Sequence, residues 1–238
     1  MVNTRFENRL LQALDEDSLQ RLDPQPVSFE LMRDLEVMGG PIRYVYFIEE
    51  GLASITTTFD NGSQVEVGMV GYEGAVGFSA MMGTKQSLNR VYTQIPGRGY
   101  RVPLRTAKEE FNRSPHFKTV VLCYVQTQLI YAMQTAGCNA KHSIQERLAR
   151  WLLACKDCVK STRFCITQSF LADMLGTGRP AITHAADRLK QDNLITYRRG
   201  MVEILDIAGL EARSCECYAI VQNHLNNFLE YDSGQAHA

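Results

Sequence analysis

The stretch Leu171–Ile195, LADMLGTGRPAITHAADRLKQDNLI, constrains the fold of this chain more than any other segment. Counted from Gln168 as the first position of a two-helix unit, Leu171 and Leu175 face a core, Ala172 takes the fifth place, Gly176 the ninth and Ile182 the fifteenth. Residue 172 must be small where a second helix crosses closely, and Gly176 permits the sharp turn between the helices. Pro180 suits the first turn of the second helix, where its missing N–H costs nothing, and it pushes Arg179 into an extended N-cap conformation, aimed outward from the positive helix end. Ile182, Ala185, Ala186 and Leu189 then face inward, while Thr183, His184, Asp187 and Arg188 share one polar side. This is helix-turn-helix spacing, and such a polar face suits a DNA major groove, where Arg reads guanine and short polar side chains read other edges or phosphate.

Charge separates this reading from a helix pair that merely packs. The chain has a net charge of −1, but residues 1–140 hold 13 Lys and Arg against 15 Asp and Glu, residues 141–200 hold 11 against 5, and residues 201–238 hold 1 against 6. A basic block inside a neutral chain is the footprint of a module that binds nucleic acid. Tyr197-Arg198-Arg199-Gly200 adds the tip of a two-stranded wing. The residues expected at double-stranded DNA are Thr167, Gln168, Thr177, Arg179, Pro180, Thr183, His184 and Arg188, with Arg198 and Arg199 from the wing.

The rest of the chain supports two cores. With 238 residues, 45% hydrophobic and 21% charged, it needs no disulfide or metal to fold. It contains no apolar run of about 18 residues and its N-terminus is charged throughout, so a cytoplasmic protein without membrane contact is expected. From Tyr44 to Leu104 it reads as short strands: YVYFIEEGLASITTTF, SQVEVGMV, VYTQI and GYRVPL, with Asp60-Asn61-Gly62 as a tight primed hairpin turn and glycines as further turn residues. Ser114-Pro115 then caps a long helix running to Gly137. Its apolar residues exceed one stripe, so a second copy of the helix is expected against Phe117, Val121, Tyr124, Gln128 and Tyr131. Ser143-Ile144-Gln145-Glu146 is a capping box that opens the next helix, and a last helix is expected around GLEARSCECYAIVQNHLNNFL. The expected fold is α+β: a jelly-roll-like β-roll sensor domain (1–113), a dimerisation helix and hinge (114–142), and a winged helix-turn-helix (143–238).

On these features the chain resembles the Crp/Fnr superfamily of bacterial transcription regulators, with ITQSFLADMLGTGRPAITHAADRLKQDNLI aligning without a gap. The resemblance implies a homodimer on a pseudo-palindromic operator, contact with RNA polymerase and a recognition-helix Arg at Arg179, and leaves a small-molecule effector of unknown identity open. The acidic residue that often follows that Arg is Pro180 here. Cyclic-nucleotide-binding members hold the phosphate with Gly-Glu and a later Arg-Ser/Thr, whereas this chain has Ala75-Val76 and Asn89-Arg90, which argues against cAMP and cGMP. Glu73 and Arg90, one place away, leave a rebuilt site open.

Iron–sulfur members carry a cysteine cluster near the N-terminus, whereas the first cysteine here is Cys123. Cys155, Cys158 and Cys165 have ligand-like spacing without an evident fourth partner, and Cys215 and Cys217, placed on one helix, would point to different sides. No metal or cofactor is therefore expected, and a cysteine-based redox or metal sensor that gates DNA binding stands as the alternative. All five histidines, His116, His142, His184, His224 and His237, lie outside the roll, and no nucleophile elbow, P-loop or dinucleotide fingerprint occurs, so catalysis is not expected.

Overall fold

The computed structural model of the chain describes residues 5–228; the ends of the first and last expected domains, residues 1–4 and 229–238 with His237, lie outside the described residues. Two short helices, α1 (Arg9–Ala13) and α2 (Glu16–Leu22), are capped by the side chains of Asn8 and Asp15. Strands β1 (Gln25–Phe29), β2 (Asp34–Glu36), β3 (Tyr44–Thr58), β4 (Gln64–Val70), β5 (Ala75–Val76) and β6 (Arg90–Pro103) follow, with a 3₁₀ turn at Phe78–Met82. They form one antiparallel sheet in the order β1-β6-β3-β4, with β2 paired to β6 and β5 to β3. The β3–β6 register shifts three times between Ile48 and Ala53, and these irregularities bend the two long strands.

Two local expectations change. VYTQI and GYRVPL are one continuous strand, because Gly97 is not a turn but the place where β6 touches β3: a Cβ there would lie 1.9 Å from the Glu50 carbonyl oxygen. The Asp60-Asn61-Gly62 hairpin exists, but among these residues only Gly62 has positive φ, at +80°. Gly62 N–H donates to the Phe59 carbonyl at 2.8 Å, so a wider turn ending in a left-handed Gly replaces the two-residue primed turn.

After α3 (Leu104–Arg113), Ser114 caps α4 (Pro115–Lys141), its Oγ accepting from Phe117 N–H as expected. The helix passes through Gly137, which is exposed and unobstructed, and ends four residues later. Its inward side chains require a correction: Phe117, Val121, Tyr124 and Tyr131 are buried within their own chain, and Tyr124 packs edge-on against Phe78 and Phe228. Gln128 is half-buried and donates to the Tyr124 hydroxyl at 2.8 Å. The apolar surface that α4 leaves open is instead Leu122, Leu129 and Met133, exposed by 44, 54 and 63%.

The capping box at Ser143 and Glu146 opens α5 (Ile144–Val159). Beyond it lie β7 (Arg163–Cys165), α6 (Gln168–Met174), α7 (Arg179–Gln191), β8 (Ile195–Arg198), β9 (Met201–Ile204), α8 (Ile207–Arg213) and α9 (Cys217–Asn227), with the three strands ordered β7-β9-β8. The single last helix is thus two, divided at Ser214–Glu216. Leu52 and Met69 of the large sheet join the core formed by α5, α6 and α7, so the sheet and the C-terminal helices bury apolar surface against each other.

Candidate nucleic-acid interface

Helices α6 and α7 are set by the pattern read from their residues. Leu171, Ala172, Leu175, Ile182, Ala185, Ala186 and Leu189 are all buried. Gly176 adopts φ +58° in the turn, where its N–H donates to the Asp173 carbonyl. Thr167 caps α6 by accepting from Phe170 N–H at 3.2 Å, and the buried Arg147 guanidinium donates to the Leu175 carbonyl at the other end. The N-cap of α7 is Gly178, in extended backbone, so Arg179 is the first helical residue and Pro180 the second. Arg179 is therefore not the cap itself: the flexible Gly takes that role, and the arginine still projects from the positive end of the helix.

The outward side of α7 is cationic and uncompensated. Arg179, Pro180, His184 and Arg188 are exposed, as are the wing residues Arg198 and Arg199. Among the described residues none of these four arginines is paired with a carboxylate, whereas Asp187 is taken up by Lys190 at 3.0 Å. Arg199 and Gly200 both have positive φ, +51° and +79°, which makes the wing tip the primed two-residue turn that joins β8 to β9. Thr183 and Gln168 are half-buried and bonded to each other, the Thr183 hydroxyl donating to Gln168 Oε1 at 2.9 Å. This bond fixes α6 against α7 and leaves the Gln168 amide N–H groups to donate outward. Thr177 is half-buried in the turn. All ten expected residues thus lie on α6, α7, their connection or the wing.

The basic block contributes less surface charge than its count suggests. Arg147 and Arg150 are buried, and Lys160 and Arg163 face Glu7 and Glu203. Among the described residues, the cations of the block that remain exposed without an ion pair are Arg179, Arg188, Arg198 and Arg199 on α7 and the wing, and Lys141 at the end of α4.

Three further features lie in the large sheet and at its contacts with α4 and α5. Glu66 of β4 is buried where the large sheet meets α5, accepting from Trp151 Nε1 at 2.7 Å and from the Ser54 hydroxyl. Burial pushes its carboxyl up to about 7 against those two hydrogen bonds and the Arg150 charge. A mostly apolar cleft of about 360 Å³ opens between the sheet and α4, lined among others by Met82, Leu88, Val91, Val125 and Leu129, and among the described residues Glu36 is its one charged side chain, with no Lys or Arg. Glu73 and Arg90 do not rebuild an anion site there: Glu73 is buried against Gly71 N–H, and Arg90 pairs with Asp34 at 2.7 Å.

Of the cysteines, it is Cys215 and Cys217 that are placed differently from expectation. Cys155 and Cys158 are buried in the core of the C-terminal helices and Cys165 is exposed on β7. Cys215 precedes α9 and Cys217 opens it, so the two do not diverge along one helix; their sulfurs gather with Cys138 and His142. The sequence signal for this group was the pairing of Cys-x₃-His at the end of one helix with Cys-x-Cys at a helix junction.

Residues 146–213 match the Crp-like helix-turn-helix domain. No curated protein matches the chain. Among solved structures, FixK2 from Bradyrhizobium japonicum is similar at TM-score 0.69 and 12% identity, over 81% of this chain and 98% of its own. A Crp/Fnr-family transcriptional regulator from Thermus thermophilus is similar at TM-score 0.67 and 20% identity, over 80% and 98%. The c-di-GMP-responsive global regulator CLP of Xanthomonas campestris is similar at TM-score 0.66 and 16% identity, over 81% and 100%.

Proposed function

We propose that this chain, which has the fold of the Crp/Fnr transcription regulators and carries a Crp-like helix-turn-helix, is a sequence-specific DNA-binding transcription regulator that acts as a homodimer on a pseudo-palindromic operator. The observation that carries the reading is the set of unpaired, exposed Arg179, Arg188, Arg198 and Arg199 around one helix face and one wing. Phosphate neutralisation supplies affinity, and a bidentate Arg–guanine contact supplies roughly 1–3 kcal/mol of discrimination. Arg179 reads a base edge from the first turn of α7, Arg188 and the wing arginines hold phosphates, and RNA polymerase is the partner on the bound promoter. The dimer forms through Leu122, Leu129 and Met133 of α4, the apolar side chains the monomer leaves exposed.

The effector is an uncharged or weakly polar small molecule in the cleft beside α4. A cyclic nucleotide, or the c-di-GMP to which the Xanthomonas regulator responds, would bring phosphates to a wall that has Glu36 and no cation. Leu129 belongs both to that cleft and to the exposed side of α4, so a ligand there touches the dimerising helix directly.

The test is binding of wild type, Arg179→Ala and Arg188→Ala to operator and to random duplex across a salt series. Arg179→Ala is expected to lose operator affinity and preference at one symmetric pair of positions. Arg188→Ala is expected to weaken both duplexes alike and to lower the salt slope by about one phosphate. Uniform loss in both variants, with the motif unchanged, would reduce Arg179 to a phosphate contact.

A further inference from the structure

Four side chains from distant parts of the chain converge where α4 meets the junction of α8 and α9. Cys138 stands in the last turn of α4 and His142 caps its C-terminus. Cys215 lies in the α8–α9 turn and Cys217 opens α9. The three sulfurs and an imidazole nitrogen all lie within 4.8 Å of one another; Cys138 Sγ is 3.5 Å from Cys215 Sγ, and Cys217 Sγ is 3.5 Å from His142 Nδ1. The three thiols are buried and the histidine is half-buried.

These separations suit a single ion. A tetrahedral zinc with Zn–S near 2.3 Å and Zn–N near 2.0–2.1 Å places its ligands roughly 3.5–3.8 Å apart, and thiolate with imidazole is a donor set that zinc accepts and magnesium or calcium does not. The surroundings are those of a supported metal site. His142 Nε2 lies 3.3 Å from a Glu216 carboxylate oxygen, which orients the ring so that Nδ1 faces the sulfurs. The Gln134 side-chain amide donates to Cys217 Sγ at 3.0 Å. Arg150 is only 5% exposed and, among the described residues, makes no ion pair and leaves its Nε without a hydrogen-bond partner. A buried guanidinium with no direct ion pair is costly, and beside the more distant Glu66 carboxyl, three thiolates around a divalent ion would carry a net charge of −1 for it to balance.

We propose that Cys138, His142, Cys215 and Cys217 bind one zinc ion that pins the end of α4 to the α8–α9 junction. Each ligating thiol gives its proton to solvent as its Zn–S bond forms, and no redox partner takes part. The site does not depend on the DNA-binding reading, and its test is independent of DNA.

The full chain, purified under reducing conditions without chelator, is expected to hold about one zinc per chain by elemental analysis. Replacement of zinc by cobalt is expected to give the intense visible bands of a tetrahedral site and near-ultraviolet thiolate charge-transfer bands. His142→Ala is expected to change the cobalt spectrum, and Cys217→Ser to lower the metal content to below about a tenth of an ion per chain. Cys158→Ser and Cys165→Ser should leave both readouts intact. Should Cys217→Ser fail to fold, titrating wild type with a thiol-specific mercurial is expected to release the zinc as three thiols react. Wild type that stays metal-free and spectrally silent after incubation with excess zinc or cobalt would overturn the proposal. So would a native Cys138–Cys215 disulfide, a sulfide-containing iron cluster, or metal that is lost with Cys158 rather than Cys217.

Discussion

Glu66 shows what a single residue does at the seam between the sheet and the C-terminal helices. Its carboxyl is buried, tied to Trp151 and Ser54, and raised to about 7 by desolvation. Because its folded value lies above its unfolded one, its contribution is fully present below about pH 4.5, fades as pH climbs, and is lost above 7, a difference on the order of 3 kcal/mol. Glu66→Gln keeps an acceptor for Trp151 and removes the titration. In thermal unfolding it should match wild type near pH 5 and exceed it at pH 8, and parallel pH curves for the two proteins would refute this assignment. At this scale the sequence was only partly legible. Ala172, Gly176 and Ile182 could be read because helix crossing and turn geometry fix residue size at set spacings. Glu66, Arg147 and Arg150 could not, because burial of a charged side chain depends on partners far along the chain, and the two arginines look like surface charge in any count.

Among the elements, α4 and the wing give opposite lessons. Tyr197-Arg198-Arg199-Gly200 between two β-rich runs marks a wing tip locally, and the two-stranded wing formed as read, although the positive φ of Arg199 was not signalled by its residue type. The start of α4 was equally visible in Ser114-Pro115, but its apolar residues circle the helix, and periodicity alone does not say which side meets the sheet and which is left open. The aromatic side went inward against Phe78 and Phe228, and the Leu122, Leu129 and Met133 side stayed outside. In sedimentation at micromolar concentration, Leu129→Glu is therefore expected to shift a dimer toward the monomer mass of 26.9 kDa while circular dichroism keeps the wild-type helix content, since Leu129 is 54% exposed in the single chain. A dimer that persists in Leu129→Glu and in Met133→Glu would place the contact elsewhere. The division of α8 from α9 was hidden for a related reason: Ser214–Glu216 contains neither Gly nor Pro, and the break becomes intelligible from the convergence of Cys215 and Cys217 on Cys138.

For the molecule as a whole, the parts lie in one contiguous arrangement. The cleft lies against α4, the outer side of α4 carries the apolar stripe, the end of α4 meets the cysteine–histidine group, and α5 leads from there to the two helices that present the arginines. A ligand or a second copy acting on α4 has a contiguous packed route to α7, and the sheet touches the C-terminal helices again through Glu66, Met69 and Leu52. Two copies related by a two-fold axis would present two α7 helices to the same side of a duplex. The most direct test of the central claim is selection of bound sequences from a random duplex library by the full-length wild-type protein. The expected product is an inverted repeat whose half-sites lie about one helical turn apart, roughly 34–36 Å, with the most discriminating position lost in Arg179→Ala. Recovery of no enriched motif, or of a motif without two-fold symmetry, would contradict it.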